Sequence, residues 1–279
     1  MPQVTHDSSS ARVMSFQGRD GERSLPAIRS APGRPADPTV SVVVPTLNEA
    51  RNLPFVFSTL NGQDVEVIVV DGRSHDDTVR VATCLRSEVV VVEEQRKGKG
   101  AALQAGFAAA RGDIIVMLDS DGSADGREIP AFVDALKAGA DFAKGSRFAV
   151  GGGSADITWS RRAGNGMLSQ LVNKVFGARF TDLCYGYNAF WRDCLPYLNV
   201  DCDGFEVETL LNIRAVKSGL RITEVPSYES IRIHGHSNLH ATKDGLRVLR
   251  TIFSECRHNG YLKNVDEPAR ASIYASRPT

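Results

Sequence analysis

Short apolar runs rich in β-branched residues alternate along the chain with stretches of helical period. Val40–Val44, Val65–Val70, Val89–Val92 and Ile114–Leu118 are the apolar runs. Their lack of polar alternation predicts strands covered on both faces, as in a parallel sheet. Ala50–Asn61 repeats Leu53, Phe57 and Leu60 at helical spacing. Thr78–Arg86 reads as a short helix capped by Asp76 or Asp77, and Gly100–Arg111 as a helix of small residues. Strands alternating with helices predict an α/β fold: a Rossmann-like, doubly wound, mostly parallel sheet with helices on both faces. One domain is expected over residues 39–263. Residues 1–38, proline-rich with Phe16 as the only aromatic, and residues 264–279 read as loose tails.

Ligands of such sheets bind beyond the carboxyl ends of the strands. Four loops there carry polar groups: Pro45-Thr46-Leu47-Asn48-Glu49, Asp71-Gly72-Arg73-Ser74-His75-Asp76-Asp77-Thr78, Arg96-Lys97-Gly98-Lys99-Gly100, and Asp119-Ser120-Asp121-Gly122. Asp119 and Asp121, two residues apart as the chain leaves a strand, can reach one hard cation. Their oxygens suit Mg²⁺ or Mn²⁺, ions that commonly share their shell with substrate phosphates. An EF-hand does not fit, because Pro130 stands where its closing Glu belongs. Lys97–Gly100 offers cations and backbone N–H groups at a helix N-terminus, a natural anion site, without the spacing of a Walker loop. The absence of G-x-G-x-x-G after the first strand argues against a nicotinamide dehydrogenase.

The 279 residues carry 33 basic and 33 acidic side chains, a formal charge of zero, which argues against a nucleic-acid partner. No apolar stretch approaches the roughly 20 residues of a bilayer span, and the N-terminal residues contain no signal-peptide core. Cys84, Cys184, Cys194, Cys202 and Cys256 form no C-x-x-C pair and read as reduced cytoplasmic thiols.

The motifs P-T-L-N-E, V-D-G-R-S-x-D-D-T, G-K-G-A-A-L and D-S-D, in this order, resemble the inverting family 2 glycosyltransferases of GT-A fold. Gly145-Ser146-Arg147, Glu224-Val225-Pro226, Arg232-x-x-Gly235-x-Ser237-x-Leu239 and Asp244-Gly245-x-Arg247-Val248 are similar to the polyprenyl-phosphate sugar transferases of that family, the dolichyl-phosphate mannose synthase type. That type usually reads D-A-D-L-Q, G-L-G and S-G-F-R. Here D-S-D-G-S, a central Lys99 and the aromatic run Tyr185–Trp191 stand instead.

The resemblance implies metal-dependent transfer of a sugar from a UDP- or GDP-sugar to a polyprenyl phosphate met at the inner membrane surface. Pro45, Thr46 and Glu49 would line the nucleotide pocket with Lys99 and Asp119, and Asp71 would hydrogen-bond the base. Asp119 and Asp121 would hold the metal, Asp121 at the reacting centre. Arg232, Ser237 and Asn238 would close on the diphosphate, and Arg147, with Arg161 and Arg162, would serve an acceptor phosphate. His234, His236 and His240 read as polar loop residues, since no fourth zinc ligand is evident. A hydroxyl acceptor would need a carboxylate base. Glu206 and Glu208 open one helix about 200° apart, so one of them faces the site. Glu206 is the expected base, with Asp203 as the alternative. Gly151-Gly152-Gly153 reads as a flexible loop or a lid. The last helix, Lys243–Arg257, sets Leu246, Leu249, Phe253 and Cys256 apart from its basic residues, and either packs on the domain or lies on an anionic membrane.

Overall fold

The computed structural model describes residues 33–235 and 241–257, without the side chains of 241 and 242. The predicted strands form β1 (Val40–Thr46), β2 (Val65–Asp71), β3 (Val90–Glu93) and β4 (Ile114–Met117), all mutually parallel where they pair. Between them lie α1 (Leu53–Thr59), α2 (Thr78–Leu85) and α3 (Lys99–Ala109). The small residues of α3 let it sit close to the sheet: a Cβ at Gly106 would stand 2.3 Å from Val43 Cγ1.

The second half of the chain adds α4 (Ile129–Lys137), β5 (Phe142–Ser146), β6 (Gly153–Ser154), α5 (Trp159–Phe176), β7 (Asn188–Trp191), α6 (Leu195–Leu198), α7 (Val207–Lys217), β8 (Ile222–Pro226), β9 (Tyr228–Glu229) and α8 (Ala241–Arg257). The seven-stranded sheet runs β3-β2-β1-β4-β7-β5-β8. β7 is its one antiparallel member, wedged between β4 and β5. The aromatic run Tyr185–Trp191 therefore supplies core: Tyr187, Phe190 and Trp191 are buried, and Tyr187 stacks on Phe132 with ring centroids 4.4 Å apart. Gly151-Gly152-Gly153 leads into β6, which pairs with β9.

The described fold begins ahead of the expected boundary at residue 39. The Arg34 guanidinium donates to Asp141 Oδ1 at 2.6 Å and to both carboxylate oxygens of Asp193, and lies 4.9 Å from the Trp191 ring. This clasp ties the segment before β1 to β5 and to the turn after β7.

Candidate active site

The strand ends open into a cavity of about 1350 Å³. Pro45, Thr46, Glu49, Lys99, Asp119, Asp121, Arg147 and Arg232 line it. Ser237 and Asn238, with His236 and His240, lie outside the described residues.

At the nucleotide end, the loops after β1 and β2 hold each other. Asn48 N–H donates to Ser74 Oγ at 2.8 Å, and Ala50 N–H to Asp76 Oδ2 at 3.1 Å. Asp71 caps its own turn, accepting from Ser74 N–H at 2.9 Å through Oδ2. Its Oδ1 is buried without a partner, an acceptor free for a ring N–H, although Asp71 does not line the cavity wall. Glu49 accepts from Asn52 Nδ2 and from the Arg232 guanidinium at 2.9 Å. Burial pushes its carboxyl above the usual range, against the pull of those two donors.

Lys99 sits in the first turn of α3, beyond Gly98 at φ +118°. Its ammonium lies 2.5 Å from Asp119 Oδ1 and 2.7 Å from Glu208 Oε1. Burial alone would lower its pKa, yet the two carboxylates hold it above the ordinary lysine value. The first amides of α3 are not free for an anion. Gly100 N–H donates to the Asp203 carbonyl at 2.8 Å, and Ala101 N–H approaches the same oxygen at 3.3 Å. No Cβ fits at Gly98 or Gly100, which would press within 2.0 and 2.2 Å of the Asp203 and Cys202 carbonyl oxygens.

Asp121 accepts from Ser123 N–H at 2.9 Å through Oδ1, and its Oδ2 lies 3.5 Å from Arg232 Nε. Among the described residues no three His, Cys, Asp or Glu side chains gather as a cage. Two carboxylates at a cavity wall fit a hard cation whose remaining positions go to diphosphate oxygens and water. The His234 carbonyl accepts from Asn52 and from Arg232.

Three expected placements differ. The acid turned into the cavity from α7 is Glu208; Glu206 folds back to accept from Gly204 N–H at 3.3 Å and does not line it. Asp203 faces the surface and pairs with Arg96. Arg147, though on the cavity wall, is spent on carboxylates: Nε and Nη2 donate to Asp182, and Nη1 donates to Glu229 at 3.0 Å. Those bonds bring Asp182 below the usual carboxylate value despite its burial. Arg161 remains at the cavity wall, paired with Asp156 at 2.9 Å, and the Arg162 guanidinium lies over the Phe148 ring.

Met167, Leu168 and Leu171 of α5 and Val248 and Leu249 of α8 also line the cavity. The cavity lining thus combines ionic groups with apolar side chains of two helices. The Lys99–Glu208 pairing is what sequence reasoning missed; its only signal was Lys99 standing where an apolar residue is usual.

The mostly parallel sheet, with its cavity at the strand ends, matches glycosyl-transferring enzymes of GT-A type. The chain belongs to glycosyl transferase family 2, whose profile matches residues 41–195. It is 34% identical over 206 residues to the polyprenol monophosphomannose synthase of Mycolicibacterium smegmatis, covering 69% of this chain and 77% of that protein. It is 29% identical over 231 residues to the glycosyltransferase AglJ of Haloferax volcanii, covering 82% of this chain and 75% of the relative. Among solved structures it resembles glucosyl-3-phosphoglycerate synthase of Mycobacterium tuberculosis. The complex with Mn²⁺, UDP and glucosyl-3-phosphoglycerate superposes with a TM-score of 0.61 at 27% identity, over 80% of this chain and 81% of that one. The complex with Mg²⁺ and UDP gives 0.63 at 27% identity, over 80% of each chain.

Proposed function

We propose that this glycosyltransferase moves a hexose, with inversion, from a UDP- or GDP-sugar to a polyprenyl phosphate at the inner membrane surface. The observation that carries this reading is the mixed lining of the cavity, where Lys99, Asp119 and Asp121 share one pocket with Met167, Leu168 and Leu171 of α5 and Val248 and Leu249 of α8. The kinship with the polyprenol monophosphomannose synthase supports it.

Pro45, Thr46 and Glu49 seat the nucleotide, and the unpartnered Asp71 Oδ1 accepts from the base. Asp119 and Asp121 would hold Mn²⁺ or Mg²⁺, which would supply positive charge to the departing diphosphate. Arg232 leaves Glu49 and turns its fork of donors to the diphosphate, joined by Ser237 and Asn238. A phosphate acceptor is already anionic, so no proton has to be removed before its oxygen attacks the anomeric carbon. Glu208 then serves to orient Lys99, which stands beside Asp119.

One observation favours a second reading. Glu208 is a buried carboxylate on the cavity wall whose pKa burial lifts, a suitable general base for a hydroxyl acceptor.

A single assay separates the two. Purified protein receives labelled UDP- and GDP-sugars, Mn²⁺ or Mg²⁺, and a polyprenyl phosphate, and label is counted in the organic phase. The lipid-phosphate reading expects metal-dependent organic label, with Glu208→Gln keeping kcat within about tenfold. The hydroxyl reading expects label to stay in water and Glu208→Gln to lose about 10²–10⁴-fold.

A further inference from the structure

Residues 183–186, on the way from α5 to β7, lie outside any helix or strand, and buried side chains hold their backbone. Leu183 N–H donates to Ser169 Oγ at 3.1 Å, and the Leu183 carbonyl accepts from Asn212 Nδ2 at 2.9 Å. Cys184 N–H donates to Asn165 Oδ1 at 3.0 Å. The Tyr185 carbonyl accepts from Lys144 Nζ at 2.9 Å, and the Gly186 carbonyl from Asn188 Nδ2 at 3.3 Å. Lys144 and Asn188 stand opposite each other in the register of β5 and β7, and both are fully buried.

Lys144 is the charged member of this set. Its ammonium donates to two carbonyls, those of Gly145 at 2.7 Å and of Tyr185. Burial pushes its pKa below the ordinary lysine value, against the pull of Asp182 and Glu224. Those two acids are engaged elsewhere, Asp182 with Arg147 and Glu224 with Thr181. An ammonium held this way lowers stability relative to a well-packed apolar side chain of similar length.

What Lys144 achieves lies on the far side of one peptide. A trans peptide is planar, so its N–H points opposite to its C=O. The described residues contain no cis bond. With the Tyr185 carbonyl drawn into the core by Lys144, the Gly186 N–H points away from the core, and Gly186 lines the cavity. Among the described residues that N–H has no hydrogen-bond partner. A Cβ on Gly186 would stand 2.8 Å from Lys99 Nζ and 3.1 Å from Asp119 Oδ2. Glycine thus brings the backbone beside both groups without displacing either.

We infer that the Gly186 N–H is a binding donor for an oxygen of the nucleotide-sugar, and that Lys144 is the positioning residue that aims it. The inference rests on the reading that sets the nucleotide-sugar beside Asp119. A backbone donor fixed from within the core keeps its direction as charge develops on the ligand, with no side chain to reorganise.

The test follows the Gly186 amide by NMR in protein isotope-labelled at glycine nitrogen, its signal assigned by its absence from Gly186→Ala. UDP-glucose and GDP-mannose are added separately with Mg²⁺, and binding is measured by calorimetry on the same protein. One of the two is expected to bind, to move the Gly186 proton downfield and to slow its exchange with water about tenfold or more. Lys144→Met frees the Tyr185 peptide to turn. It should lose that response and lower kcat/KM for release of nucleoside diphosphate about tenfold. Lys144→Gln, which keeps an N–H donor without the charge, should recover part of both. Nucleoside diphosphate release counts transfer to any acceptor and to water, so the identity of the acceptor does not enter. A nucleotide-sugar that binds without disturbing the Gly186 signal overturns the inference. So does a folded Lys144→Met variant that keeps the response, even if it melts earlier, because Lys144 is then structural only. Failure of both nucleotide-sugars to bind overturns the donor reading and this inference with it, whereas missing label in the organic phase strikes the lipid acceptor alone.

Discussion

Lys99 and Glu208 meet at 2.7 Å, joining the first turn of α3 to the first turn of α7, and the same ammonium lies 2.5 Å from Asp119. One cation thus ties the β4 carboxylate to the helix that follows it late in the chain. Lys99→Met leaves Glu208 buried without a counter-charge and should cost about 3 kcal/mol of stability. Adding Glu208→Gln should restore part of that loss, a coupling that a double-mutant cycle by chemical denaturation reads directly.

Asp121→Ala should lower metal-dependent turnover on the order of 10²–10³-fold while the circular dichroism spectrum stays unchanged. Full turnover in that variant would remove Asp121 from the metal site.

Gly100→Ala places a Cβ within 2.2 Å of the Cys202 carbonyl oxygen, a contact that only backbone movement relieves. The first turn of α3 must then lift off the Asp203 carbonyl and carry Lys99 with it. We expect a melting temperature lower by about 5 °C or more, with kcat reduced together with stability.

Arg147→Lys tests a structural against an acceptor-binding role. A lysine cannot reproduce the paired donation to Asp182 and the contact with Glu229. The variant should melt earlier, yet keep its KM for the acceptor within about threefold at temperatures where it remains folded. A large rise in acceptor KM at unchanged stability would return Arg147 to the acceptor phosphate.

Asp141 accepts from Arg34 and Arg221, which bring its carboxyl below the ordinary aspartate value despite its burial. A depressed carboxylate stabilises the fold above its unfolded pKa, and the contribution fades as pH falls through the folded value. Arg34→Ala should therefore cost about 3 kcal/mol at pH 7. The gap to the unsubstituted protein should narrow as pH falls below the ordinary aspartate range, as urea titrations across that range would show.

The strands around the nucleotide end were legible because parallel strands covered on both faces leave continuous apolar runs, and Val40–Val44 and Val65–Val70 fall inside β1 and β2. β7 was not legible. Its aromatic residues suit a platform as well as a core, and its antiparallel insertion depends on partners far along the chain. Which of Glu206 and Glu208 lines the cavity was illegible for a related reason. Every residue from Val207 to Ala215 is buried, so α7 shows no apolar stripe from which its orientation could be read. Arg147 looked free because Asp182 and Glu229 approach it only through tertiary contacts. On α8, two buried acids displaced Leu246 and Phe253 from the core-facing stripe that their spacing suggests.

The wedge of β7 between β4 and β5 also bears on how the protein emerges from the ribosome. Strands β1 to β4 are made in succession and can pair as they appear, but Met117 finds its antiparallel partner only in Asn188. Until then the free edge of β4, beside Asp119 and Asp121, exposes an apolar strand for the length of synthesis between them. A nascent chain stalled before β7 therefore carries an aggregation-prone edge at the very place where the finished enzyme holds its paired acids.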